Sequence, residues 1–123
     1  MSDVPLDTNV ILRYLVESPE GIDPEFKGVF AFFNRIEEGS LSVRLSDLVL
    51  FQSYFVLTSF YGVPREEAAG KLREIVEFRG IDMEQKPVVL ECLAMLKKKN
   101  LDLVDAYLLA WTRHHGCEYV YSF

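Results

Sequence analysis

The sequence predicts an α/β fold, a three-layer α/β/α sandwich around a central, mostly parallel sheet. Three observations carry that prediction. Val4 to Leu6 is a short apolar run closing on Asp7, and the polar pair Thr8 and Asn9 leads into a helical pattern, so the chain opens as strand, turn and helix. Further short apolar runs alternate with helical patterns, as expected of parallel strands joined by crossovers. The 123 residues, half of them hydrophobic, suit one packed core spanning residues 1–123 and leave no room for two.

Taken in order, Val10, Ile11, Tyr14 and Leu15 mark the buried side of the first helix. Asp23-Pro24 starts a second, an N-cap followed by proline at the first helical position, with Phe26, Val29, Phe30, Phe33 and Ile36 on one face and Gly39 as the stop. Leu41, Val43 and Leu45 alternate with polar residues as a second strand. Ser46 or Asp47 caps a third helix, apolar at Leu48, Phe51, Phe55 and Val56 and ending near Gly62. Pro64 opens a fourth, with Ala68, Ala69, Leu72, Ile75 and Val76 inward. Ile81 to Met83 reads as a brief third strand. Pro87 opens a fifth helix through Val89, Leu93 and Leu96 to Lys97-Lys98-Lys99, and Asp102 caps a sixth that buries Val104, Leu108 and Trp111 and stops at Gly116. Cys117 to Tyr121 completes the pattern as a last strand. Pro5 is the discordant residue, since proline is unusual in a central strand unless it sits at a non-bonding position.

A formal net charge of −6 argues against a protein that coats nucleic acid through a broad basic surface, yet is compatible with one that holds a phosphodiester through metal ions. No apolar run approaches a membrane span, and the N-terminus lacks the basic-then-apolar pattern of a secretory signal. Cys92 and Cys117 show no metal-type spacing and sit within apolar patterns, which points to reduced, buried thiols in a cytoplasmic protein. Receiver-type phosphoacceptor chemistry usually needs an acidic pair after the first strand, and Asp7-Thr8-Asn9 offers none. There is no second aspartate of an Asp-x-Asp phosphatase motif and no glycine-rich phosphate loop.

Ligands of open α/β sheets gather at the carboxyl ends of the strands, which makes Asp7 the first functional candidate. Asp105 lies in the first turn of the sixth helix, and if that helix returns beside the first strand the two carboxylates meet. Clustered carboxylates suit Mg²⁺ or Mn²⁺, and two ions held close together activate a water for in-line phosphoryl displacement. The bland alternatives are that Asp7 helps cap the first helix, that Asp105 complements a helix dipole, that Asp102 is an N-cap, and that the three lysines cap a helix C-terminus rather than touch RNA. His114 and His115 lack a ligand pattern. The phenylalanines of the second helix, with Phe51, Phe55 and Phe60, exceed what a small core needs and suggest a dimer or partner surface, against core packing as the simpler reading.

The stretch Leu6-Asp7-Thr8-Asn9-Val10-Ile11-Leu12-Arg13-Tyr14-Leu15 resembles the opening of a PIN domain, and the order of later elements is similar to that of the VapC branch of toxin ribonucleases. Leu41-Ser42-Val43 and Leu48 to Leu57 resemble its second strand and following helix, Asn100 to Ala106 the segment carrying its third acid, and Gly116 to Phe123 its final strand. The resemblance implies a metal-dependent endoribonuclease of a toxin–antitoxin system, hydrolysing RNA phosphodiesters with a metal-activated water. Asp7 and Asp105 would hold Mg²⁺ or Mn²⁺, with Asn9 and Ser122 in the supporting hydrogen-bond shell and Asp102 auxiliary. It also implies an RNA substrate, a small antitoxin protein that blocks the groove, and a homodimer. Two departures stand out. Gln52 occupies the place of the family's second acid, and the fourth acid would follow Phe123, where the sequence given ends. Both fit an alternative expectation: a catalytically impaired PIN-like module that binds RNA or a protein without cleavage.

Overall fold

A computed structural model describes residues 4–16, 28–98, 101–118 and 121. Among these described residues, six helices and two short strands follow one another as α1 (Thr8–Val16), α2 (Gly28–Glu38), β1 (Val43–Arg44), α3 (Asp47–Ser59), α4 (Arg65–Val76), β2 (Ile81–Asp82), α5 (Lys86–Lys98) and α6 (Leu103–His115). The expected α/β organisation holds, with helix dominating and the parallel sheet small. β1 and β2 pair in parallel, Val43 opposite Ile81 and Arg44 opposite Asp82. The Val4–Leu6 segment lies parallel along the other side of β1, bridged at Pro5 and Arg44.

That bridge resolves the anomaly of Pro5. The Arg44 N–H donates to the Val4 carbonyl at 2.7 Å, and the Leu6 N–H donates to the Arg44 carbonyl at 2.8 Å. Both bonds go to the residues flanking Pro5, so the ladder to β1 never requires a donor from proline. The three extended segments therefore run the same way, and their carboxyl ends share one edge.

The helices form because their apolar stripes are spaced to reach a common core, and most stops fall where the sequence places them. Ser46 caps α3, accepting from the Val49 N–H at 3.2 Å, and Gly116 ends α6 in the left-handed conformation (φ 67°) that glycine adopts without Cβ strain. Tyr14 anchors α1 against the aromatic face of α2, its ring stacked on Phe33 at 4.2 Å and tilted against Phe30 at 5.8 Å. The phenylalanines of α2 are thus largely absorbed by packing. The Asp23-Pro24 start and Phe26 lie outside the described residues, as do Lys99 and, within the expected final strand, residues 119–120; Cys117, Glu118 and Tyr121 of that strand are described and are not in strand.

Two faces differ from expectation. Leu103, Ala106 and Ala110 are the buried residues of α6, whereas Val104 is 60% and Leu108 38% exposed. Alanines at the contact let α5 and α6 approach closely, a criterion that a search for large apolar side chains passes over. The α3 helix is apolar almost all round, so periodicity cannot fix its orientation; it buries Leu50, Ser53, Tyr54 and Leu57 and turns Leu48 and Phe55 to solvent.

The two cysteines also part company. Cys92 is fully buried, and burial pushes its thiol up to about 12, while Cys117 is exposed rather than buried as expected. The folded chain should therefore consume one equivalent of a thiol reagent quickly at pH 8, through Cys117, and the second only on unfolding. Rapid reaction of both would contradict the packing of α5. Across the α5–α6 contact, Glu91 pairs with Arg113 at 2.9 Å and His114 at 2.7 Å, and the Arg113 hydrogen bond holds its carboxyl below the usual range. A depressed carboxylate contributes stability that is present above its unfolded pKa and lost as pH falls through the folded one. The melting-temperature deficit of Glu91→Gln should accordingly be larger at pH 7 than at pH 3.

Candidate functional site

Asp7 follows the first extended segment directly and stands at the start of α1. The Asp7 carbonyl accepts from the Val10 and Ile11 N–H groups at 3.2 and 3.3 Å, which pins the turn and leaves the side chain pointing into solvent. Among the described residues near the carboxyl edge of the sheet, the acids Asp82, Glu84 and Asp47 are engaged. Arg44 pairs with Asp82 at 3.3 Å and Glu84 at 3.1 Å, and Asp47 accepts from the Tyr107 hydroxyl at 3.2 Å. The Asp7 carboxylate has no hydrogen-bond or ion-pair partner among the described residues. An acid left unneutralised where its neighbours are satisfied is the electrostatic feature of this edge.

A cleft of about 410 Å³ surrounds it, lined by Asp7, Thr8, Asn9, Leu12, Gln52, Val56, Phe60 and Tyr61. Two elements build it. The first turns of α1, with Asp7 just before them, supply Asp7, Thr8, Asn9 and Leu12, and α3 with the two residues just past it supplies Gln52, Val56, Phe60 and Tyr61. They are fastened to each other at one polar point: the Thr8 hydroxyl, almost fully buried, donates to the Gln52 carbonyl oxygen at 3.0 Å. That bond brings position 52 to the flank of Asp7 and fixes which way its amide faces. Its carbonyl, the only atom of the side chain able to face a cation, already accepts one hydrogen bond and retains a second lone pair.

The remaining expected residues fall elsewhere. Asn9 is exposed in the same cleft. Asp105 is exposed in the first turn of α6 and is not among the residues lining that cleft. Asp102 is the N-cap of α6, one carboxylate oxygen accepting from the Asp105 N–H at 2.9 Å, as the simpler reading of that residue expects. Ser122 lies outside the described residues. Neither histidine enters the cleft: His114 faces Glu91, and the His115 ring stacks on Trp111 at 3.8 Å.

Sequence reasoning did not place Phe60 and Tyr61 in the cleft that they line together with Asp7. Phe60 is among the phenylalanines whose excess over a small core suggests a dimer or partner surface, and Tyr61 belongs to no periodic pattern. The signal available was their adjacency immediately before the helix-ending Gly62.

No three His, Cys, Asp or Glu side chains converge to hold an ion among the described residues. The donors in the cleft are a carboxylate and two side-chain amides, all hard oxygen ligands, and Mg²⁺ is characteristically held by one or two carboxylates while keeping several waters. The set fits such an ion in kind, with less negative charge than a site of four acids.

The family model described as PIN domain matches residues 4–123, almost the whole chain. No curated protein and no solved structure gives a significant match. PIN domains generally have nuclease-type activity, act on RNA and use divalent metals.

Proposed function

The chain belongs to the PIN-domain family, and from that premise we propose that it is a metal-dependent endoribonuclease of the VapC toxin type. The observation that carries this reading is the unpartnered Asp7 carboxylate, which shares its cleft with Gln52 while Asp47, Asp82 and Glu84 are all engaged by neighbours. Asp7 and Asp105 would hold Mg²⁺ or Mn²⁺, and the Gln52 carbonyl would take the place of the second acid. Asn9 and Ser122 would hold those ligands by hydrogen bonds. Asp102 fixes the start of α6 and so orients Asp105. The chemistry supplied by a bound ion is activation of water and neutralisation of phosphate charge. What the chain contributes is positioning: the Asp7 turn is locked by backbone bonds, and Thr8 prevents the Gln52 amide from rotating.

The same reading supplies the partners. The exposed apolar face of α3, with Leu48 and Phe55, borders an open groove of about 570 Å³ that suits a second copy of the chain or a small antitoxin able to cover the cleft. Among the described residues no helix is long and apolar enough to cross a membrane, and the expected compartment is the cytoplasm.

One observation favours a second reading, a module that binds RNA or protein without cutting. Gln52 brings no charge to the cleft, and its carbonyl is already tied to Thr8. The substitution Gln52→Glu separates the two. A carboxylate there keeps the Thr8 hydrogen bond and adds a full negative charge near Asp7, so Mn²⁺ affinity should rise about tenfold or more. An already active enzyme becomes faster on a single-stranded RNA substrate. An inert wild type that gains cleavage only with Gln52→Glu supports the non-cutting reading, and a wild type unaffected by the change in either property removes position 52 from the site.

A further inference from the structure

The hydrolytic chemistry leaves the aromatic end of the cleft unused. Phe60 is the C-cap residue of α3 and Tyr61 follows it, their ring centroids 5.0 Å apart at 78°. Phe60 is 79% exposed and Tyr61 45%. Their backbone is nonetheless fixed: both N–H groups donate to the Val56 carbonyl, at 2.9 and 3.2 Å, and the Val63 N–H donates to Leu57 at 2.9 Å. Two rings are thus held in water on a rigid support, where binding costs little ordering of the backbone. Tyr61 also lines a second cavity of about 270 Å³, which shares Asn9 with the first and brings in the exposed Arg13. The ring stands between a carboxylate side and a guanidinium side.

The chemistry of that arrangement selects an occupant. With a net charge of −6, broad phosphate neutralisation cannot supply the grip on RNA. Stacking of a base on an aromatic ring can, because every base presents a π-face and an unpaired one has that face free. A purely apolar partner would leave the amide and carboxylate of the same cleft unanswered, whereas a nucleotide presents a base to the rings and polar groups to Asn9 and Arg13.

We propose that Phe60 and Tyr61 form a stacking platform for an unpaired base next to the scissile phosphate. The inference rests on the nuclease reading for the position of the phosphate, but the platform itself is tested without cutting.

Fluorescence anisotropy of a labelled single-stranded adenosine octamer and of a duplex of equal length, in EDTA, measures binding alone. The wild type binds the single strand more tightly than the duplex. The double variant Phe60→Leu/Tyr61→Leu, which keeps apolar bulk at exposed positions, loses about tenfold or more in affinity for the single strand. Equal affinity of variant and wild type overturns the platform, as does a wild type that binds no octamer. A variant that binds RNA normally but changes its mass in solution assigns the rings to a protein contact and also overturns it. Cleavage measured separately with Mn²⁺ keeps the two claims apart. A wild type that cuts, with variants binding unchanged, retains the nuclease and loses the platform; a wild type that binds through the rings and never cuts does the reverse.

Discussion

Replacing Asp7 by asparagine should reduce RNA cleavage on the order of 10³-fold, because charge stabilisation by a correctly held ion contributes several kcal/mol to phosphoryl transfer. The substitution is nearly isosteric. It removes a carboxylate that has no partner among the described residues, and leaves the Asp7 carbonyl to anchor the turn through Val10 and Ile11. Stability should therefore change little, and the loss should appear in the rate. Substituting Asp82 is the informative comparison. That carboxylate is paired with Arg44, so Asp82→Asn should lower stability modestly and leave cleavage within a few-fold of the wild type. Equal loss from both would mean that general acidity of the edge, rather than Asp7 itself, matters.

The largest effect on folding is expected at Gly80. It is buried where the chain turns from α4 into β2, its N–H donating to the Ile36 carbonyl and its carbonyl accepting from Val43, both at 2.8 Å. A Cβ there would sit 2.0 Å from the Leu41 carbonyl oxygen and 2.8 Å from that of Ile36. Both are backbone atoms that cannot swing aside, so Gly80→Ala must spread α2 from the β1–β2 pair or break those bonds. A cost of roughly 3 kcal/mol or more follows, read as a lower urea midpoint. Gly70, inside α4 with nothing within 4 Å of an added Cβ, is the control. Gly70→Ala should stabilise by about 0.5–1 kcal/mol. Similar behaviour of the two variants would show that the close approach at Gly80 is misplaced.

How much of this was legible in the sequence depends on the kind of signal. The order of elements followed from apolar period and caps, and Ser46, Asp102 and Gly116 each fall at the helix end their chemistry suggests. The proximity of position 52 to the first turn followed only from family resemblance; no periodicity could place α3 beside α1, and a single part-buried Thr8–Gln52 hydrogen bond shows how they meet. Faces were hardest where helices carry apolar residues all round, as in α3, or pack through alanines, as in α6. Cys117 was misread for a related reason: an apolar neighbourhood in sequence says nothing about which side of the last segments is covered. The partnerless state of Asp7 was beyond sequence altogether, since it is defined by what Arg44 and Tyr107 do to the acids around it.

The central claim is that the Asp7 cleft is a divalent-metal site, and calorimetric titration of Mn²⁺ into the wild type and into Asp7→Asn addresses it most directly. Saturable binding by the wild type that disappears in Asp7→Asn, with both proteins equally folded, is the predicted result. Equal binding by both, or none by either at millimolar metal, would contradict it.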